Sequence, residues 1–394
     1  MVTPGQTARY YRWFRRIAGR RTTGWPPNKE ASMNAAQRLH ALGQSLWLDN
    51  LSREILDDGT IARYIREFAL TGLTSNPTIF DKAIRKTSRY DRSIAEAAGG
   101  VDSDEAIFFG LALQDLTRAA GLFQPAFEAS GGADGWVSLE VSPLLVDDTA
   151  ATIAQAKALH ARAACPNLFI KIPGNRAGIP AIEESIAAGI PINVTLLFST
   201  EQCLAAADAY RRGIERRLAA KMKPVRSVAS LFVSRWDKAV ADAVPPTLRN
   251  RLGIAVAQQT YLAWREMYTT PAWRRLADAG VPEQRLLWAS TGTKDPAASD
   301  VLYVEALAAP DTIVTMPDET LLALADHGEA SAVLPEDGGD SRLVIAQFVQ
   351  AGVDIAALAE RLQQEGAQSF AKSWQDLISC IGAKRAAIPA SHAA

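Results

Sequence analysis

Lys171 stands in Asn167-Leu168-Phe169-Ile170-Lys171-Ile172-Pro173, where every other member from Leu168 to Pro173 is apolar and of a type that fills a buried parallel strand. Burial disfavours an ammonium and lowers its pKa, and the neutral amine is the form that attacks a carbonyl to make a Schiff base. A second reading of the same strand is a lysine at its end, stem packed and head snorkelling to water. The remaining polar residues bear on that choice. Asp49 closes one apolar run, Asn76 a second and Glu140 a third, while Asn193 and Thr195 lie in the fifth, Ser230 and Arg235 in the sixth and Ser290 in the seventh. Singly, each has an ordinary explanation. Asp49 could cap a helix in Asp-Asn-Leu-Ser, Asn76 before Pro77 could turn the chain, and Glu140 could be a structural salt-bridge partner of Lys171. Jointly, two carboxylates and a lysine at the ends of separate strands are the inventory for amine-based carbonyl chemistry with acid and base assistance.

These residues converge only if the elements carrying them do. Apolar runs of strand length fall at 46–49, 72–76, 136–141, 167–173, 190–198, 227–235, 285–291 and 311–317, and helical patterns such as 60–70, 105–129, 150–164, 178–188, 201–222 and 246–268 lie between them. Alternating strands and helices imply right-handed parallel crossovers, and eight units predict an α/β fold, a single (β/α)8 TIM barrel. In that fold active-site side chains come from the C-terminal ends of several strands, which would bring all the residues above to one mouth. A doubly wound sheet with an added helical domain is the alternative, but no GxGxxG or GxxxxGK[ST] supports a nucleotide-binding version. After Gly338-Gly339, additional C-terminal helices are expected at 343–351, 355–365 and 367–381, with Phe370 and Trp374 either covering the site or simply packing. Trp264, Tyr268 and Trp273 read as exposed aromatics, at a subunit interface or in the helix layer.

The chain has 394 residues and a formal charge of -1, which conceals an asymmetry. Residues 1–32 carry seven Lys or Arg against the single Glu30, leaving 35 basic and 42 acidic side chains in the rest. A body of that charge argues against a nucleic-acid partner while allowing a local basic pocket for phosphate. We expect 1–32 to be a basic N-terminal extension ahead of a start at Met33, 33–385 the barrel with its C-terminal helices, and 386–394 a flexible tail. No run approaches transmembrane length, so no membrane partner is expected. Cys165, Cys203 and Cys380 form neither a CxxC nor an even set, arguing against disulfides and a metal site and for a reducing, cytoplasmic location.

From about residue 33 to 383 the sequence resembles the transaldolases, particularly the longer bacterial type. The motifs are Leu46-Trp47-Leu48-Asp49-Asn50-Leu51-Ser52-Arg53, Gly72-Leu73-Thr74-Ser75-Asn76-Pro77-Thr78-Ile79-Phe80, Val137-Ser138-Leu139-Glu140-Val141, Phe169-Ile170-Lys171-Ile172-Pro173, Ile192-Asn193-Val194-Thr195-Leu196-Leu197-Phe198-Ser199 and Ser230-Leu231-Phe232-Val233-Ser234-Arg235. The resemblance implies a (β/α)8 barrel that moves a dihydroxyacetone unit between sugar phosphates in the non-oxidative pentose phosphate pathway, without metal or organic cofactor, as a monomer or homodimer. It implies a catalytic set of Lys171 (imine), Asp49 (proton transfer at the C4 hydroxyl), and Glu140 with Thr195 (the water of imine formation and hydrolysis). It implies substrate contacts from Asn76, Asn193, Ser230 and Phe232, and phosphate contacts from Arg235 and Ser290. Many members have a second arginine where this chain has Gly292, so Lys294 is expected to supply the second positive charge. Relatives that release free dihydroxyacetone tend to carry glutamine at position 140 and tyrosine at 232, unlike Glu140 and Phe232 here. The remaining alternative is a non-catalytic sugar-phosphate-binding barrel.

Overall fold

The computed structural model describes residues 33–98, 103–330 and 333–387; the extension at 1–32 and the tail from 388 onward lie outside the described residues. Eight strands alternate with helices: β1 (Ser45–Leu48), β2 (Leu70–Leu73), β3 (Val137–Glu140), β4 (Leu168–Pro173), β5 (Ile192–Leu197), β6 (Ser227–Phe232), β7 (Arg285–Ala289) and β8 (Ile313–Met316). All pair in parallel, in the order β2-β1-β8-β7-β6-β5-β4-β3. Two hydrogen bonds bridge the ends of that order: Leu73 N donates to Trp136 O and Gly135 N to Thr71 O, each at 3.0 Å. The expected (β/α)8 barrel is therefore the architecture. The strands stop short of several polar residues that the sequence placed on them. Asn76, extended before Pro77 as a pre-proline residue must be, caps the following helix, and Arg235 lies in the first turn of the helix after β6.

The helices are α1 (Ala35–Ala41), α2 (Arg53–Asp57), α3 (Thr60–Phe68), α4 (Pro77–Lys86), α5 (Asp91–Ala98), α6 (Asp104–Ala129), α7 (Thr149–Ala163), α8 (Gly178–Ala188), α9 (Thr200–Ala219), α10 (Ser234–Val240), α11 (Leu252–Tyr268), α12 (Pro271–Asp278), α13 (Leu302–Ala306), α14 (Asp318–His327), α15 (Ser341–Gln350) and α16 (Ile355–Ala386). Three sequence expectations are corrected here. The helices expected at 355–365 and 367–381 are one, because Gly366 is a point of close approach and not a break: a Cβ there would lie 3.0 Å from Leu196 Cδ2 and 3.1 Å from Arg235 Nη1. That helix runs to Ala386, one residue into the expected tail. Finally, the expectation that no run approaches transmembrane length does not hold for α6, which is long and apolar enough to cross a membrane by composition. Its apolar side is buried in the core, and its Asp115 is bound by Arg53 Nε at 3.0 Å and Tyr90 OH at 2.8 Å, which marks it as a core helix. Trp264, Tyr268 and Trp273 belong to the helix layer: all three are buried, and the first two donate to Gln284 O at 3.2 and 2.9 Å.

Inside the barrel, alternate residues of each strand point inward, as period-2 geometry requires. Trp47, Phe169, Val228, Leu287 and Ile313 form an apolar layer, with Trp136 stacked on Phe169 at 3.9 Å between ring centroids. Polar groups seal the end below it. Asp134 accepts from Trp47 Nε1 at 2.9 Å and from Ser45 Oγ, while Arg285 donates to Ser45 Oγ at 2.8 Å, Thr312 O at 2.7 Å and Ala133 O at 3.1 Å. With the N-terminal end filled, only the C-terminal end is left for a site. Gly72 sits at the seam where β2 meets β3, and a Cβ there would come within 2.6 Å of both Trp136 O and Trp47 Nε1. Gly72→Ala is thus expected to cost about 2 kcal/mol or more through backbone displacement at the seam. Thermal denaturation checks this; a melting temperature within about 1 °C of wild type would contradict it.

Candidate active site

The C-terminal mouth opens on a cavity of about 940 Å³. Nine of the eleven residues singled out in the sequence line it: Asp49, Asn76, Lys171, Thr195, Ser230, Phe232, Arg235, Ser290 and Lys294. The other two, Glu140 and Asn193, lie just beneath its floor, joined to residues that line it. Register explains this. Glu140 pairs with Lys171 across β3 and β4, and Lys171 with Asn193 across β4 and β5, so three inward side chains form one row.

Lys171 is 5% exposed and Glu140 4%, which rules out the snorkelling reading. Lys171 Nζ lies 3.1 Å from Glu140 Oε2 and donates to Ser75 O at 3.0 Å. A buried ammonium without such partners would be strongly destabilising. Glu140 is therefore the structural partner of the amine. Burial pushes its carboxyl above the usual carboxylate range, opposed by Lys171. Glu140 Oε1 and the buried Thr195 Oγ1 accept or donate no hydrogen bond among the described residues. Polar atoms so buried call for a small polar partner such as water. Thr195 is aimed by a bulge: the β5–β6 register breaks between Val194 and Leu197, and Leu196 takes φ +56°, with its carbonyl held by Gln363 Nε2 of α16 at 2.9 Å.

Asp49 is half-buried at the end of β1, and Thr74 Oγ1 donates to its Oδ1 at 2.9 Å. Burial raises its pKa, while Lys171, Thr74, Lys294 and Arg235 act in the other direction. The helix cap near it is Ser52, so the capping reading of Asp49 does not hold. Asn76, expected only to turn the chain before Pro77, is itself a helix cap: its Oδ1 accepts from Ile79 N at 3.0 Å, leaving the amide NH2 for the cavity. Ser230 Oγ donates to Asn193 Oδ1 at 2.7 Å, and Asn193 Nδ2 to Ser138 Oγ at 3.2 Å, which fixes the amide below the floor.

Arg235 is half-buried, with Phe232 at 5.1 Å and Phe370 of α16 at 5.8 Å from its guanidinium carbon. Its guanidinium makes no hydrogen bond or ion pair to protein among the described residues, and burial lowers its pKa. A rigid, unpaired fork facing a cavity suits an oxyanion. Ser290, at φ +56°, contacts Ser234 Oγ at 3.1 Å. Lys294 Nζ lies 3.4 Å from the point that a Cβ on Gly292 would occupy, so the glycine makes room for the ammonium to turn back over the mouth. Phe370 faces the cavity, whereas Trp374 stacks edge-on against Phe108 at 5.0 Å and walls a small recess behind Glu140.

The sequence reading missed Thr74, Thr315, Lys238 and the α16 residues Glu365 and Ser369, all of which line the cavity. Thr74 lies inside a motif that was recognised, two residues before Asn76, and Lys238 is one helical turn beyond Arg235. For α16 no local signal exists, because its place over the mouth is set by packing. Together, a buried amine between two carboxylates and an unpaired guanidinium suit a carbonyl substrate that carries an anionic group.

The family description transaldolase/fructose-6-phosphate aldolase matches residues 46–381. A transaldolase of Parafrankia sp. is 43% identical over 358 residues, spanning 87% of this chain and 96% of that protein. One from Thiobacillus denitrificans is 42% identical, over 89% of this chain and 100% of its own length. Transaldolase 1 of Streptomyces coelicolor is 41% identical, over 89% of this chain and 95% of its own.

Removing the amine should expose the Glu140 carboxyl's dependence on it. Without Lys171, burial acts on Glu140 unopposed by its main counter-charge and keeps it protonated to higher pH in the folded state than in the unfolded chain. A group raised on folding contributes stability at low pH and loses it as pH rises through the folded pKa. Lys171→Met is therefore expected to match wild type most closely in acid and to fall progressively below it toward alkaline pH. Urea denaturation across the pH range checks this, and a pH-independent difference would contradict it.

Proposed function

The chain belongs to the transaldolase/fructose-6-phosphate aldolase family and is a transaldolase, a transferase, and we propose that it works through a Schiff base on Lys171. The donor is a ketose phosphate, sedoheptulose 7-phosphate or fructose 6-phosphate, and the acceptor an aldose phosphate, glyceraldehyde 3-phosphate or erythrose 4-phosphate. The observation that carries this reading is the Lys171 amine on the cavity floor, 3.1 Å from Glu140 and on the same cavity as Asp49. The amine attacks the donor C2 carbonyl, and the carbinolamine loses water to give the protonated imine. Asp49 takes the proton of the C4 hydroxyl as the C3–C4 bond breaks, and the bonding pair flows into the imine to leave a three-carbon enamine. The shortened aldose phosphate departs. The enamine then attacks the acceptor aldehyde, Asp49 returns the proton to the new hydroxyl, and water hydrolyses the imine.

In this scheme Glu140 through Oε1 and Thr195 through Oγ1, buried atoms with no hydrogen-bond partner among the described residues, hold and activate that water. The free amide of Asn76, together with Asn193 and Ser230, binds the hydroxyls of the three-carbon unit, and Phe232 closes the adjoining wall. Arg235, Ser290 and Lys294 receive the phosphate, the first by its planar fork and the last as a point charge. No metal or organic cofactor enters the scheme. Glu140 and Phe232, in place of glutamine and tyrosine, support transfer over release of free dihydroxyacetone. We place the enzyme in the reducing cytosol, where Cys165, Cys203 and Cys380 stay free, as a monomer or homodimer with no nucleic-acid or membrane partner.

Two experiments test the reading. Fructose 6-phosphate with borohydride is expected to leave a three-carbon adduct, seen by intact mass, on wild type and not on Lys171→Ala; an unlabelled, folded wild type would favour the non-catalytic barrel. Lys294→Ala is expected to raise KM for phosphorylated donors about tenfold with little change in kcat, the pattern of a lost binding contact. An unchanged KM would remove Lys294 from the phosphate site.

A further inference from the structure

Thr74 follows β2 and Thr315 lies on β8, each 3% exposed, one on either side of β1 and its Asp49. Thr74 Oγ1 is 2.9 Å from Asp49 Oδ1 and 2.9 Å from Thr315 Oγ1. A hydroxyl has one proton to donate. If Thr74 spends it on the carboxylate, which can only accept when ionised, the second contact is a hydrogen bond only with Thr315 as the donor. The direction of the chain is thereby set: Thr315 to Thr74 to Asp49 Oδ1. Thr291 Oγ1 donates to Thr315 O at 2.7 Å and pins the far end of the chain. Asp49 Oδ2 has no hydrogen-bond partner among the described residues.

Resting on the Schiff-base reading above, we infer that Thr315 and Thr74 are positioning residues whose one-way hydroxyl chain occupies Oδ1 of Asp49 and leaves Oδ2 as the oxygen that exchanges the proton with the substrate's C4 hydroxyl. Chained hydrogen bonds polarise one another, so Thr315 strengthens the bond that Thr74 makes. The chain also favours the ionised carboxylate against its burial, together with Lys171 from β4, Lys294 from the loop after β7 and Arg235 from α10. Glu140 on β3 faces Asp49 as a like charge, and Asp318 at the start of α14 is engaged by Asn50 Nδ2 at 2.6 Å. The chain touches neither Lys171 nor Glu140. It therefore serves proton transfer at C4 and not formation of the imine.

The variants are Thr74→Val, Thr315→Val and the hydroxyl-keeping Thr74→Ser and Thr315→Ser, each measured in the full chain by two readouts. The first is borohydride trapping with free dihydroxyacetone, which forms the imine without any C3–C4 cleavage. The second is the pH profile of kcat with fructose 6-phosphate and erythrose 4-phosphate. Trapping is expected to be wild-type in all four. In both valine variants the acidic limb of kcat is expected to move to higher pH, because losing a donor to the ionised base raises the pH needed to ionise it. At about pH 6 the loss should be on the order of tenfold for Thr74→Val and smaller for Thr315→Val, with KM changed less than about threefold. The serine variants should retain most of the wild-type profile. An unshifted limb in both valine variants would overturn the inference, as would serine variants as impaired as valine, or a loss of trapping in parallel with kcat. Failure of trapping in wild type would instead sink the Schiff-base reading itself.

Discussion

A lysine amine inside a barrel must be surrounded so that it neither drags in water nor unfolds the protein, and most of this structure follows from that constraint. Lys171 is accommodated by a carboxylate on the neighbouring strand and by the carbonyl of Ser75 in the loop after β2. Removing two charges from water costs several kcal/mol per ion, and attraction at about 3 Å with good geometry offsets it only partly. The deficit is borne by the rest of the barrel: the apolar layer of Trp47, Phe169 and Leu287, the stacked Trp136, and the hydrogen-bonded plug of Asp134, Ser45 and Arg285 below. Stability is concentrated at one end so that the other can hold groups that are poorly satisfied.

Those groups are graded by how completely the protein pairs them. Asn193 is held by Ser230 and Ser138 and is a fixed fixture of the floor. Among the described residues, Asp49 is held at one oxygen only. Glu140 Oε1, Thr195 Oγ1 and the Arg235 guanidinium make no hydrogen bond to the described protein. Donors and acceptors left open in a dry site cost folding energy and are worth most to a transition state, because they need not reorganise when charge develops. The long helix α16 completes this arrangement from above, where Phe370 shields Arg235, Gln363 holds the bulged Leu196 carbonyl, and Gly366 lets the helix come close enough to do both.

How much of this could be read without the structure varied with the range of the interaction concerned. Lys171 was legible because a charge in an apolar strand is a local contradiction, and local contradictions mark function. The barrel was legible because eight alternations of strand and helix repeat one local pattern. Arg235 and Asn76 were found, but on strands that end before them, since the point at which a chain leaves a sheet depends on its neighbours and not on its own propensity. The single helix α16 is expected as two pieces meeting at Gly366, because a glycine that permits close approach looks in sequence like one that ends a helix. The long apolar α6 escaped notice as a candidate span because its charges are spaced along it, and only packing shows Asp115 turned onto Arg53.

By itself the sequence determined the kinds of chemistry available: an amine in an apolar strand, carboxylates and amides at the ends of other strands, an arginine, and the periodicities that close eight strands into a barrel. Those are properties of residue type and spacing, to which each segment contributes independently. Tertiary structure alone decided which oxygen faces which proton. That Glu140 meets Lys171 at 3.1 Å, that Lys294 folds back over Gly292, and that Thr315 reaches Asp49 through Thr74 are facts about pairs separated by 31 residues or fewer in two cases and by 241 in the link between the threonines. Hydrogen bonds fail beyond a few tenths of an ångström of misplacement, and placement at that precision is a property of the whole closed barrel, which no segment of the chain carries alone.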